Sequence, residues 1–94
     1  MRLSKEKRDK ISEQILLLLY QSFPKQNFTA EIARECARDE EFVKAILFEL
    51  KEKNLVVNIK KNSDGKMFIR RLRWQLSAEA YKAYHEKAQG VSNF

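Results

Sequence analysis

Little in this chain lends itself to covalent or metal chemistry. Of its 94 residues, one is cysteine, Cys36, and one is histidine, His85. A lone thiol closes no disulfide and completes no paired-cysteine zinc site, which excludes a disulfide-stapled secreted scaffold. The sequence shows no nucleophile–base arrangement and no metal-ligand spacing, so it is read as a non-enzyme that needs no metal or cofactor. Two glycines and one proline leave no material for a glycine-rich phosphate loop, a collagen repeat or a disordered linker. The longest apolar run, Ile15 to Tyr20, is six residues long, whereas a membrane-spanning helix needs about 20. The opening stretch, Met1 to Lys10, carries charges of both signs with no apolar core behind it, which speaks against a signal peptide. The expected location is the cytoplasm, with no membrane partner.

What is present is charge, mostly positive. Lys and Arg number 19 against 13 Asp and Glu, a formal net charge of +6. Such a balance points to a polyanionic partner. The length fits one domain, 1–94, and the order of patterns along it is legible. Ser4 is placed to cap a first helix over Lys5–Ser22, with Ile11, Ile15, Leu18 and Leu19 on one stripe and Leu16 and Leu17 off it. Pro24 to Asn27 reads as a polar connection. Thr29 is expected to cap a second helix, Ala30–Ala37, and Asp39 a third, Glu40–Lys53, whose buried stripe is Val43, Ile46, Leu47 and Leu50. Asn54 suits the left-handed end of that helix.

The period then changes. Leu55, Val57 and Ile59 alternate with Val56, Asn58 and Lys60, and Phe68, Leu72, Trp74 and Leu76 alternate on a returning strand. Asp64-Gly65 is a hairpin signal. A two-residue loop there would set Val57 opposite Leu72 and Leu55 opposite Trp74. Ser77 caps a last helix from Ala78 to about Ala88, with 90–94 frayed.

The stretch Thr29 to Val56, TAEIARECARDEEFVKAILFELKEKNLV, resembles the winged helix-turn-helix superfamily, in particular small prokaryotic regulators of the MarR, ArsR and PadR kind. Glu31-Ile32-Ala33 stands where those families carry Glu-Leu-Ala after a capping Ser or Thr. Asp39 is the second cap, Val43, Leu47 and Leu50 the buried positions, and Asn54-Leu55-Val56 the closing Gly-Leu-Val. Arg73-Trp74-Gln75-Leu76-Ser77 is similar to the strand that precedes the family's last helix. The resemblance implies an α+β, mostly α, fold: three helices, a β-hairpin wing over 55–76 and a C-terminal helix, with the helix-turn-helix at 29–53. Ala37 replaces the usual turn glycine and Arg38 the usual apolar residue after it, which implies a slightly altered turn.

The charge is not evenly spread. Residues 24–54 carry six basic and seven acidic side chains, and residues 55–77 carry six basic and one acidic. Lys60, Lys61, Lys66, Arg70, Arg71 and Arg73 therefore make the wing a candidate clamp for DNA phosphates, although basic residues also blunt hairpin edges. On the family pattern the groove-facing positions of the third helix are Glu40, Glu41, Lys44, Ala45 and Phe48. Lys44 and Phe48 are the candidate base contacts, since Phe can touch a thymine methyl. Glu40 and Glu41 equally suit a helix N-terminus through its dipole.

The leading reading is a double-stranded-DNA-binding transcriptional regulator, paired as a homodimer through the first and last helices. RNA binding through the same basic hairpin is a third reading. The alternative to both is a protein-interaction module whose partner binds the acidic face of the third helix. Cys36 reads as a packed core thiol and His85 as a surface side chain.

Overall fold

A computed structural model of the chain describes residues 4–59 and 72–92. The first helix, α1 (Lys5–Ser22), begins where Ser4 Oγ accepts from the Lys7 N–H at 3.3 Å. Ile11, Ile15 and Leu19 are buried, as the stripe predicts, and so is Leu16. Leu18 is half-buried and Leu17 lies 48% exposed. The apolar surface of α1 is thus narrower than its sequence suggests, because the last helix folds back along it.

The polar connection after Pro24 ends in a short strand, β1 (Asn27–Phe28), which sequence periodicity cannot reveal in two residues. The second helix, α2 (Thr29–Cys36), starts one residue earlier than expected. Thr29 is not its cap. The Glu31 carboxylate accepts from the Phe28 N–H at 2.9 Å, while Thr29 Oγ1 accepts from the Trp74 indole at 2.8 Å. At the far end Ala37 takes φ 54, and the Arg38 N–H donates to the Ala33 carbonyl at 3.0 Å. Alanine therefore holds the left-handed stop that glycine serves best. The third helix, α3 (Glu40–Glu52), is capped by Asp39 and buries Val43, Ile46, Leu47 and Leu50 as predicted. Asn54 at φ 63 ends the turn that follows.

Two more strands, β2 (Val56–Ile59) and β3 (Arg73–Leu76), complete an antiparallel sheet of order β1-β3-β2. Its register differs from the expected one. Val57 pairs with Gln75 and Val56 with Leu76, a shift of three residues. An odd shift reverses the faces of β2. Val56 and Asn58 therefore point to the core side with Leu76 and Trp74, and Val57 is 41% exposed. The pattern misleads because Leu55, Val56 and Val57 are all apolar and carry no phase, while a polar residue, Asn58, lies on the inner face. Lys60 and the Asp64-Gly65 turn lie outside the described residues.

The last helix, α4 (Ala78–Ser92), begins at Ser77, whose Oγ accepts from the Ala80 N–H at 3.1 Å. It passes Ala88, the expected end, and Gly90, and runs to Ser92. Glycine lowers helix propensity by about 1 kcal/mol without removing the backbone hydrogen bond. Tyr81 stacks on Phe23 with centroids 4.1 Å apart, Tyr84 on Tyr20 at 5.7 Å, and the Tyr84 hydroxyl donates to Glu13 at 3.3 Å. One core under the three-stranded sheet contains Trp74, Ile15, Leu19, Ile32, Ile46 and Leu47, each fully buried.

Candidate nucleic-acid interface

The exposed side of α3 is built by exclusion. Once Val43, Ile46, Leu47 and Leu50 face the core, helical spacing sends Glu41, Ala45 and Phe48 to solvent, with Lys44 half-buried beside them. Lys44 does not project freely: its Nζ donates to Glu41 Oε1 at 3.2 Å, one helical turn away. Phe48 is 38% exposed and forms a T-shaped pair with Trp74, centroids 5.2 Å apart at 88°. Lys51 brings its Nζ within 6.0 Å of the Phe48 ring. With the exposed Glu40 beside Glu41, two acids, two lysines and an aromatic ring share one face. Its electrostatics are mixed, and the acids at the first turn are stabilised there by the helix dipole.

Arg73 opens β3, half-buried, opposite Ile59 on one side and Phe28 on the other. Lys60, Lys61, Lys66, Arg70 and Arg71 lie outside the described residues. The structure brings Lys44 and Phe48 onto one surface and places Arg73 in the strand whose Trp74 supports Phe48. Sequence reasoning missed Lys51 and Trp74. Lys51 had a signal, since it falls three residues after Phe48 on the same face. Trp74 had none, because its contact with Phe48 joins two elements far apart in the chain.

Cys36 is buried, and burial pushes its thiol pKa up. Glu35 adds to the rise and Arg38 opposes it. A thiol so held is a packing group rather than a nucleophile. His85 stacks on Tyr81 at 5.8 Å on an exposed side of α4. Among the described residues no group of three or more His, Cys, Asp or Glu side chains is placed to hold a metal ion, and no helix is long and apolar enough to cross a membrane.

Neither a family model nor a curated protein matches this sequence. Solved structures do match its fold. The S. aureus MepR–DNA complex superposes with a TM-score of 0.73 at 19% identity, covering 94% of this chain and 69% of that one. The apo form of a Lactococcus lactis ZitR mutant gives 0.68 at 23% identity, covering 94% and 61%. The Zalpha domain of Carassius auratus PKZ, in complex with Z-DNA, gives 0.57 at 23% identity, covering 74% and 97%. This chain spans less than two thirds of the ZitR chain. Helix, strand, two helices, a sheet of order β1-β3-β2 and a final helix define the winged helix, and that is the fold of this protein.

Proposed function

We propose that the protein binds double-stranded DNA as a transcriptional regulator, with α3 in the major groove and the basic segment between β2 and β3 on the adjoining phosphates. The observation that carries this reading is where the charge falls. Residues 55–77 hold six basic side chains against one acidic, and they comprise β2, β3 and the segment that joins them. Lys60, Lys61, Lys66, Arg70, Arg71 and Arg73 neutralise phosphates, while Lys44 and Phe48 meet base edges. That the S. aureus structure is a DNA complex and the Carassius auratus structure a Z-DNA complex supports a duplex partner for the shared frame.

Two copies pair through α1 and α4. Leu17, exposed on α1, and the half-buried Tyr20, Tyr81 and Tyr84 along the α1–α4 seam support that arrangement. A two-fold pair would present two copies of α3 to half-sites about one DNA turn apart. Sedimentation equilibrium at micromolar concentration tests it: twice the monomer mass is expected, and a monomer mass throughout overturns the pairing.

Binding of a random-sequence duplex at several salt concentrations tests the DNA reading. Affinity is expected to fall steeply with salt. Replacing Arg70, Arg71 and Arg73 with Ala is expected to flatten the log–log slope by about 0.9 for each phosphate that is no longer neutralised. An unchanged slope in the triple variant overturns the wing clamp. The exposed Phe48 among acidic side chains also suits a protein partner, and salt-independent indifference to duplex DNA would select that reading.

A further inference from the structure

The exposed ring of Phe48 is held from behind. Trp74, fully buried at the centre of the sheet, stands perpendicular to that ring, centroids 5.2 Å apart at 88°. Its indole N–H donates to Thr29 Oγ1 at 2.8 Å, and the Thr29 backbone N–H donates to the Leu72 carbonyl at 3.3 Å. Side chains of α2, β3 and α3 thus converge on one ring. An edge-to-face pair is directional, because the ring edge is positive and the ring face negative. The indole cannot turn without breaking its hydrogen bond and leaving a buried N–H unsatisfied. An exposed aromatic side chain ordinarily loses rotamer freedom when a partner covers it. Phe48 has given up much of that freedom in advance.

We infer that Trp74 is a positioning residue and that the ring it holds reads the C5-methyl group of thymine in the major groove. The inference rests on the duplex-binding reading above. Phenylalanine has no hydrogen-bonding atom, so the thymine methyl is the major-groove feature it can contact favourably. The neighbours fit that role. Lys44 stands one turn before Phe48 to meet a neighbouring base edge, and the Lys51 ammonium, 6.0 Å from the ring, flanks it as a phosphate contact. The bond from Thr29 to Trp74 sets the ring's pose, and the pose sets how well a methyl packs against it.

The probes are an alternating A·T duplex and the same duplex with deoxyuridine in place of thymine, which differ only in the C5-methyl. In the alternating sequence every register offers a thymine. The wild-type protein is expected to prefer the thymine duplex roughly fourfold, the worth of one buried methyl. Trp74 is the only tryptophan, so its emission reports the contact directly and is expected to change more with thymine than with deoxyuridine. Phe48→Ala abolishes the preference. Thr29→Val keeps the side-chain shape but removes the acceptor for the indole, and it moves the preference towards unity. Thr29→Ser restores the hydroxyl and the preference with it, which a merely structural role would not require. Thermal melts establish that each variant is folded at the assay temperature. Should Thr29→Val prove unfolded there, Thr29→Ser and Phe48→Ala still decide the matter through the thymine-to-deoxyuridine ratio and the Trp74 emission. Tight binding of both duplexes with equal affinity overturns the methyl readout and leaves the DNA reading standing. A preference that survives Thr29→Val unchanged in folded protein overturns the positioning role. Failure to bind either duplex at low salt overturns both readings together.

Discussion

Arg8 donates to the Glu49 carboxylate at 2.7 Å and lies 5.7 Å from the centre of the Phe42 ring, tying the first turns of α1 to the solvent side of α3. Both charged side chains are partly exposed, at 33% and 54%, so the ion pair itself is worth at most about 1 kcal/mol. Arg8 also covers an aromatic face. Arg8→Ala is therefore expected to lower stability more than Glu49→Ala, and a urea-unfolding double-mutant cycle separates the shared ionic part from the packing part. Equal losses would mean that the Phe42 contact contributes nothing.

Ala37 sits in the left-handed region at φ 54. A residue with a Cβ costs roughly 1–2 kcal/mol there, and the extra freedom glycine brings to the unfolded chain offsets about 0.4–1 kcal/mol of any relief. Ala37→Gly is expected to stabilise the fold by about 0.5–1 kcal/mol, read as a higher Tm. Asn54 at φ 63 already tolerates that conformation, so Asn54→Ala is expected to lower Tm.

Glu41 holds Lys44 in an i,i+3 pair at 3.2 Å. In the DNA reading it both repels phosphate and occupies the ammonium that would otherwise reach a base edge. Glu41→Gln is expected to strengthen binding to random-sequence duplex, because one charge that repels phosphate is removed. An unchanged affinity would argue that this face of α3 turns away from the duplex.

Two groups make the fold sensitive to alkali. Burial raises the Cys36 thiol above its ordinary value of 9.0, with Glu35 adding to the rise against Arg38. Burial also raises Tyr84 above 10.0, helped by the charge and the hydrogen bond of Glu13. Each folded-state pKa is raised, so the stability these groups contribute is fully present below the unfolded value. It is lost as pH rises through the folded one. Stability is expected to decline from about pH 9 upwards, and Tyr84→Phe is expected to make the decline shallower. Thiol alkylation in mildly alkaline buffer is expected to be slow until the protein unfolds.

The helices were legible because their signals are local. Ser4, Asp39 and Ser77 cap where hydroxyl and carboxylate side chains are placed to do so, and the α3 stripe reads directly at helical spacing. The β2 strand was not legible, since three consecutive apolar residues carry no phase and an inward Asn58 inverts the alternation. β1 is too short to have a period. Thr29 looked like a cap because threonine suits that position, and its true partner, Trp74, is distant in sequence. For the candidate site, the exposure of Phe48 followed from helical spacing. What holds its ring in place depends on sheet register, which a strand without clear alternation specifies least.

The central strand of the sheet is also the last one to be synthesised. Asn27 and Phe28 pair with Trp74 and Arg73, and Val56 to Ile59 pair with the same strand from its other side. Contacts so distant in sequence close slowly. Until Arg73–Leu76 emerge from the ribosome, the start of α2 and the inner face of β2 lack the strand that covers them, so the helix-turn-helix is born unfinished. A stop codon before Trp74 would therefore leave all six basic residues of 55–77 in the chain and still undo the fold. It would return Thr29 and Val56 to water, and the product would be a target for proteolysis rather than a binder of half strength.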